Sequence, residues 1–82
     1  MTYKILVIKI DHRSQEAGMV QNVLTAFGCN IKVRLGLHEV SNDICAQDGL
    51  IILHVDGKIN EVNELLDKLN DIDYVQAKLL EM

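Results

Sequence analysis

The sequence contains no proline, so nothing in it punctuates a domain boundary. No apolar run approaches ~18 residues, so no segment is long enough to span a bilayer as a helix. Bases are scarce, with eight Lys and Arg against twelve Asp and Glu and a formal charge of −4. Phosphate binding needs clustered cations, so this balance argues against a nucleic-acid partner. There are two cysteines and no C-x-x-C or H-x3-H spacing. In a chain that reads as cytoplasmic, free thiols are expected rather than a staple. Neither G-x-G-x-x-G nor a P-loop occurs. The Met1 end carries a strand-like segment and no small-residue cleavage site, so no signal peptide is expected. What remains is 82 residues, 49% apolar and 24% charged. That is the composition of one soluble globular domain over residues 1–82.

Tyr3 to Ile10 is dense in β-branched and apolar residues and reads as a strand. After the polar break Asp11-His12-Arg13-Ser14, a helix is expected from Ser14 to Phe27, with Ala17, Val20, Leu24 and Phe27 at helical spacing. Ser14 suits its cap, and Gly28 suits a left-handed ending. Met19 and Val23 lie off the main stripe and suit an oligomer contact. From Cys29 to Val40, Ile31, Val33, Leu35 and Leu37 alternate with Lys32, Arg34, Gly36 and His38, the pattern of a strand with one wet face. Glu39 to Gly49 is polar and turn-rich. Leu50 to Val55 is apolar except for His54, as in a strand buried on both faces. Asp56-Gly57 marks a turn. A second helix begins within Lys58 to Asn60 and carries the stripe Ile59, Val62, Leu65, Leu66 and Leu69. Asn70-Asp71 breaks it, and a last strand follows from Asp73 to Leu80.

The order β-α-β-β-α-β predicts a ferredoxin-like α+β fold, a four-stranded antiparallel sheet with both helices on one face. The first and third strands belong in the centre, because they are apolar on both faces. Leu6, Ile8 and Ile10 oppose Ile5 and Val7, and Leu50 and Ile52 oppose Ile51 and Leu53. Two helices cover one face, so an apolar face is left over, and such a patch usually marks an interface. Burying ~600 Å² of it contributes on the order of 15 kcal/mol before association costs. A homodimer or homotetramer is therefore expected, through the open faces, the edge strand Ile31 to Leu37, or both.

Two groups of residues suggest ligand chemistry. Asp11, His12, Arg13 and Ser14 lie between a strand and a helix N-terminus, where outward N–H groups favour a carboxylate or phosphate. The plain alternative is a cap with solvated charges. Cys29, His38, Glu39, Cys45 and His54 are the ligand types a transition metal takes. His38, Glu39 and Cys45 share one hairpin, while His54 sits at the far end of the third strand and would meet a metal from a neighbouring subunit. The alternative is a solvated His38-Glu39 pair, with Cys29 and Cys45 packing as small hydrophobes. Lys58, Glu61, Glu64 and Lys68 read as an exposed helix face. No orienting third group or oxyanion site accompanies the Cys/His pair, so no enzymatic activity is expected.

The opening strand with Asp11-His12-Arg13-Ser14, the segment from Gly28 to Glu39, Cys45 with Gly49 to Leu53, and Asp56-Gly57 together resemble the small ACT-like regulators of iron-only hydrogenase systems. The step Arg34-x-Gly36 is the most specific piece. That fold is similar to the ligand-binding C-terminal domain of nickel-responsive repressors. The resemblance implies a non-enzymatic sensor that binds a small ligand at a subunit interface, through Asp11 to Ser14 with Gly18 one turn inside the helix. The scarcity of bases and the lack of a spanning segment leave no direct contact with nucleic acid or membrane expected, and because the chain starts directly at the sheet, without the DNA-binding arm of those repressors, control of transcription would require a separate DNA-binding or enzyme partner.

Overall fold

The computed structural model describes residues 2–11, 17–37 and 49–82. It contains β1 (Lys4–Ile10), α1 (Ala17–Ala26), a single 3-10 turn at Gly28–Asn30, β2 (Ile31–Leu37), β3 (Gly49–Val55), α2 (Ile59–Asn70) and β4 (Val75–Glu81). The strands form one antiparallel sheet in the order β2-β3-β1-β4. This is the expected ferredoxin-like α+β fold, with the two doubly apolar strands in the centre. No described helix is long and apolar enough to cross a membrane.

One face of the sheet builds the core. Leu6 and Ile8 of β1, Ile51, Leu53 and Val55 of β3, and Val75 and Ala77 of β4 are buried there. Val20 and Leu24 of α1 and Val62, Leu65 and Leu69 of α2 pack onto them. Val23 and Phe27 are partly buried against this core, so Val23 belongs to it and not to an outer contact. Met19 is exposed, and so is Ile59 at the first position of α2, outside the expected stripe.

Three local features depart from the sequence pattern. A β-bulge lies between Ile31 and Val33. Ile31 pairs with Val55 and packs on the core, whereas Val33 and Leu35 pair with His54 and Ile52. The extra residue moves Val33 and Leu35 to the opposite face from Ile31. Arg34 is consequently on the helix side, where its guanidinium donates to Gln21 Oε1 of α1 at 2.7 Å. Gly28 does not close α1 in a left-handed conformation; it opens the 3-10 turn. The left-handed residue between α2 and β4 is Tyr74, at φ 63°. It sits in a turn in which the Val75 N–H donates to the Ile72 carbonyl at 3.2 Å.

The outer edge of β4 is closed by a side chain. Asn70 Oδ1 accepts from the Ala77 N–H at 2.8 Å, and Asn70 Nδ2 donates to the Ala77 carbonyl at 3.1 Å. The amide thus takes the place of a neighbouring strand and ties the end of α2 to the sheet. Asn70→Ala removes both bonds and is expected to cost about 1–2 kcal/mol. In thermal denaturation this reads as a Tm lower by roughly 5–12 °C.

Candidate functional site

The first group of ligand-binding candidates is anchored where β1 ends. Ile10 pairs with Gly49 on one side and with Val75 on the other. Leu37 pairs with Leu50. The end of β1, the end of β2 and the starts of β3 and β4 therefore meet at one end of the sheet. The Asp11 N–H donates to the Tyr74 carbonyl at 3.0 Å, which holds Asp11 against the left-handed turn. Lys9, Asp11, Tyr74, Val75 and Gln76 line a cleft of about 180 Å³ there. Lys9 and Gln76 are direct cross-strand partners. The cleft is smaller than the roughly 300–1,000 Å³ of pockets that enclose drug-sized ligands. His12, Arg13 and Ser14 lie outside the described residues, as do His38, Glu39 and Cys45. Gly18 is exposed in the first turn of the described α1, with open space where a Cβ would stand.

His54 stands elsewhere. It pairs with Ile5 and Val33 on the open face, toward the opposite end of β3 from Gly49. The Tyr3 ring lies against it, with centroids 5.3 Å apart and planes tilted by 52°. Its neighbours in the register are apolar or aromatic and offer a cation no second ligand. Among the described residues no three His, Cys, Asp or Glu side chains come together as a metal site. Cys29, expected as a buried small thiol, is exposed and unpaired with another cysteine.

The open face is apolar, as the double-sided strands require. Val33 is 57% exposed, Leu35 51% and Leu80 51%. Ile5, Val7 and Ile52 are half-buried between them. By register, Lys9 and Lys78 are the charged residues that the strands place on this face, and no strand carboxylate joins them.

The opposite end of the sheet holds a polar network that composition and spacing do not reveal. Asn30 Nδ2 donates to the Asp56 carbonyl at 3.1 Å and to Glu61 Oε2 at 2.6 Å. The Asp56 N–H returns a bond to the Asn30 carbonyl at 2.7 Å. Glu61 is therefore a partly buried acceptor and not a freely solvated member of the α2 surface. The Gly57 N–H donates to Asp56 Oδ1 at 2.8 Å, and Lys32 Nζ lies 3.3 Å from Asp56 Oδ2. The Gly57 N–H, followed by Lys32, holds the Asp56 carboxyl below its ordinary value of 3.8. A lowered carboxyl pKa stabilises the fold above the unfolded value, and the contribution fades as pH falls through the folded value. Asp56→Asn should therefore lower Tm at neutral pH. Melting curves of the two proteins are expected to converge as pH drops below about 3.8.

No family model matches the chain, and no curated protein matches it. Solved structures do. An uncharacterized protein from Thermotoga maritima is similar over 100% of this chain and 99% of its own, with a TM-score of 0.82 and 23% identity. A nitrogen regulatory PII-like protein from Thiomonas intermedia, in its apo form, is similar over 100% of this chain and 90% of its own, with a TM-score of 0.64 and 14% identity. The same protein bound to ADP, AMP and acetate gives a TM-score of 0.60 and 15% identity, covering 99% and 86%. The likeness is one of fold.

Proposed function

We propose that the chain is a non-enzymatic regulatory domain of the ACT-like kind, assembled as a homodimer or homotetramer and binding a small ligand at a subunit interface. The observation that carries this reading is the apolar sheet face that the helices leave bare. Association buries it, and the loss of exposed apolar area supplies the free energy. The ligand site lies at the end of the sheet where Asp11 leaves β1, with Asp11, His12, Arg13, Ser14 and Gly18 as its residues. The cleft beside Asp11 supports this placement, and its small volume is consistent with a site completed by other loops or by a neighbouring subunit. The similar fold of a PII-like protein bound to ADP, AMP and acetate supports a small anionic metabolite as ligand. By its sequence resemblance, the process regulated is an iron-only hydrogenase system in the cytoplasm, reached through a separate DNA-binding or enzyme partner.

Native mass spectrometry of the protein purified without chelator tests the reading. An oligomer is expected, and a bound organic acid or nucleotide would appear as added mass. A monomer in which no metabolite raises Tm overturns it. A bound metal ion that disappears in His38→Ala/Cys45→Ala would instead favour a metal sensor using His38, Glu39 and Cys45, with His54 from a neighbour.

A further inference from the structure

We propose that Lys9, Gln76 and Lys78 hold the anionic group of the ligand, a carboxylate or phosphate, on the open face beside the cleft. This rests on the small-ligand reading above and names the side chains that recognise the charge. The cations of the strands are Lys4, Lys9, Lys32, Arg34 and Lys78. Lys4 Nζ donates to the Gly57 carbonyl at 3.3 Å. Lys32 Nζ pairs with Asp56 Oδ2, and the Arg34 guanidinium donates to Gln21. Among the described residues, Lys9 and Lys78 are the strand cations that make no side-chain hydrogen bond or ion pair, and the exposed Gln76 amide makes none either.

The register brings these three side chains together. Lys9 is the cross-strand partner of Gln76, and Lys78 is the partner of Val7, two residues earlier on the same face. Diagonal neighbours of this kind start about 7–8 Å apart, within reach of two lysine stems that turn toward each other. No strand carboxylate stands between them, so alone the two ammonium groups repel. An oxyanion placed between them turns that repulsion into charge-assisted hydrogen bonds. Lysine suits the task, because its flexible stem carries three rotatable donors to either a planar or a tetrahedral anion. The Gln76 amide adds a neutral donor from the same side. The cleft next to Lys9 and Gln76, floored by Val75 and flanked by Tyr74, takes the remainder of a small molecule. Asp11 also lines the cleft, and it has interactions of its own. Its position beyond Lys9 places the anion on the Lys78 side.

Amide NMR of the full chain, titrated with inorganic phosphate and separately with acetate, against sodium chloride at equal ionic strength, tests the assignment. Saturable shifts are expected at the Gln76 side-chain amide and at the backbone signals of Lys9 and Lys78. The tighter of the two titrations tells a phosphate ligand from a carboxylate one. Lys9→Gln/Lys78→Gln should weaken the response at least ten-fold, while Lys9→Arg/Lys78→Arg, which keeps both charges, should retain it. Lys58→Gln/Lys68→Gln removes two cations from α2 and should leave it unchanged. Shifts at these positions that never saturate, or that weaken equally in the α2 variant, overturn the assignment. Saturable shifts elsewhere that Lys9→Gln/Lys78→Gln does not alter overturn it and leave the small-ligand reading standing. A protein in which neither anion saturates any signal and no metabolite raises Tm overturns both.

Discussion

Leu53→Ala is expected to remove about 3–5 kcal/mol of stability, whereas Ile52→Lys, one residue away, should leave the fold of the single chain intact. Leu53 is fully buried in the middle of β3, within the core cluster. Truncating it loses the transfer free energy of the removed methyl groups and leaves a cavity that a packed interior closes only in part. A domain of 82 residues has about 4–12 kcal/mol in total. Leu53→Ala should therefore lower Tm by roughly 15–30 °C, or prevent folding. Ile52 points to the open face between Val7 and Leu35. A lysine there keeps its stem on the sheet and its ammonium in water while the chain is alone. Association would bury that charge without a partner, because the strands place Lys9 and Lys78 but no carboxylate on this face. The mass of the assembly should fall by half or more.

Gly57→Ala is the second large effect, at about 2–4 kcal/mol. Gly57 has φ 117°, a conformation that residues with a Cβ rarely adopt. A Cβ built there overlaps Asn30 Nδ2 and comes within 3.2 Å of Glu61 Oε2. Relief requires Asn30 to leave, which breaks its bonds to the Asp56 carbonyl and to Glu61. Those bonds tie the start of β2 to the start of α2, so chemical denaturation should show the loss as a lower midpoint at unchanged slope. Adding Asn30→Ala to Gly57→Ala should cost less than the two single losses summed, because both changes sever the same network.

The strand order was legible because it rests on a two-way contrast. β1 and β3 carry apolar residues on both faces, and only central strands tolerate that arrangement. The β2 pattern misled for a specific reason. Ile31, Val33, Leu35 and Leu37 alternate without interruption, and alternation alone puts them on one face. The bulge at Lys32 leaves that spacing intact while changing its meaning, because it moves Ile31 to the core side. A faint signal was present in Arg34 and Gly36, which sit where an uninterrupted strand would face water. Tyr74 gave no warning either, since a left-handed turn is ordinarily supplied by glycine or asparagine. Asn30 was invisible because its partners Asp56 and Glu61 are remote in sequence and its amide satisfies both at once. Of the ligand-binding and metal candidates, Asp11, Gly18 and His54 lie among the described residues. β1 ends at Ile10, where the polar break Asp11-His12-Arg13-Ser14 was expected to begin. His54 lies toward the end of β3 away from Gly49, while His38, Glu39 and Cys45 lie outside the described residues.

On the proposed reading, one face of this sheet folds the chain and the other assembles it. Sedimentation velocity of the unsubstituted protein beside Ile52→Lys, with circular dichroism on both, tests it most directly. An oligomer is expected for the first and a species of at most half its mass for the second, with matching spectra. A monomer for the unsubstituted protein, or equal masses for the two, would contradict it.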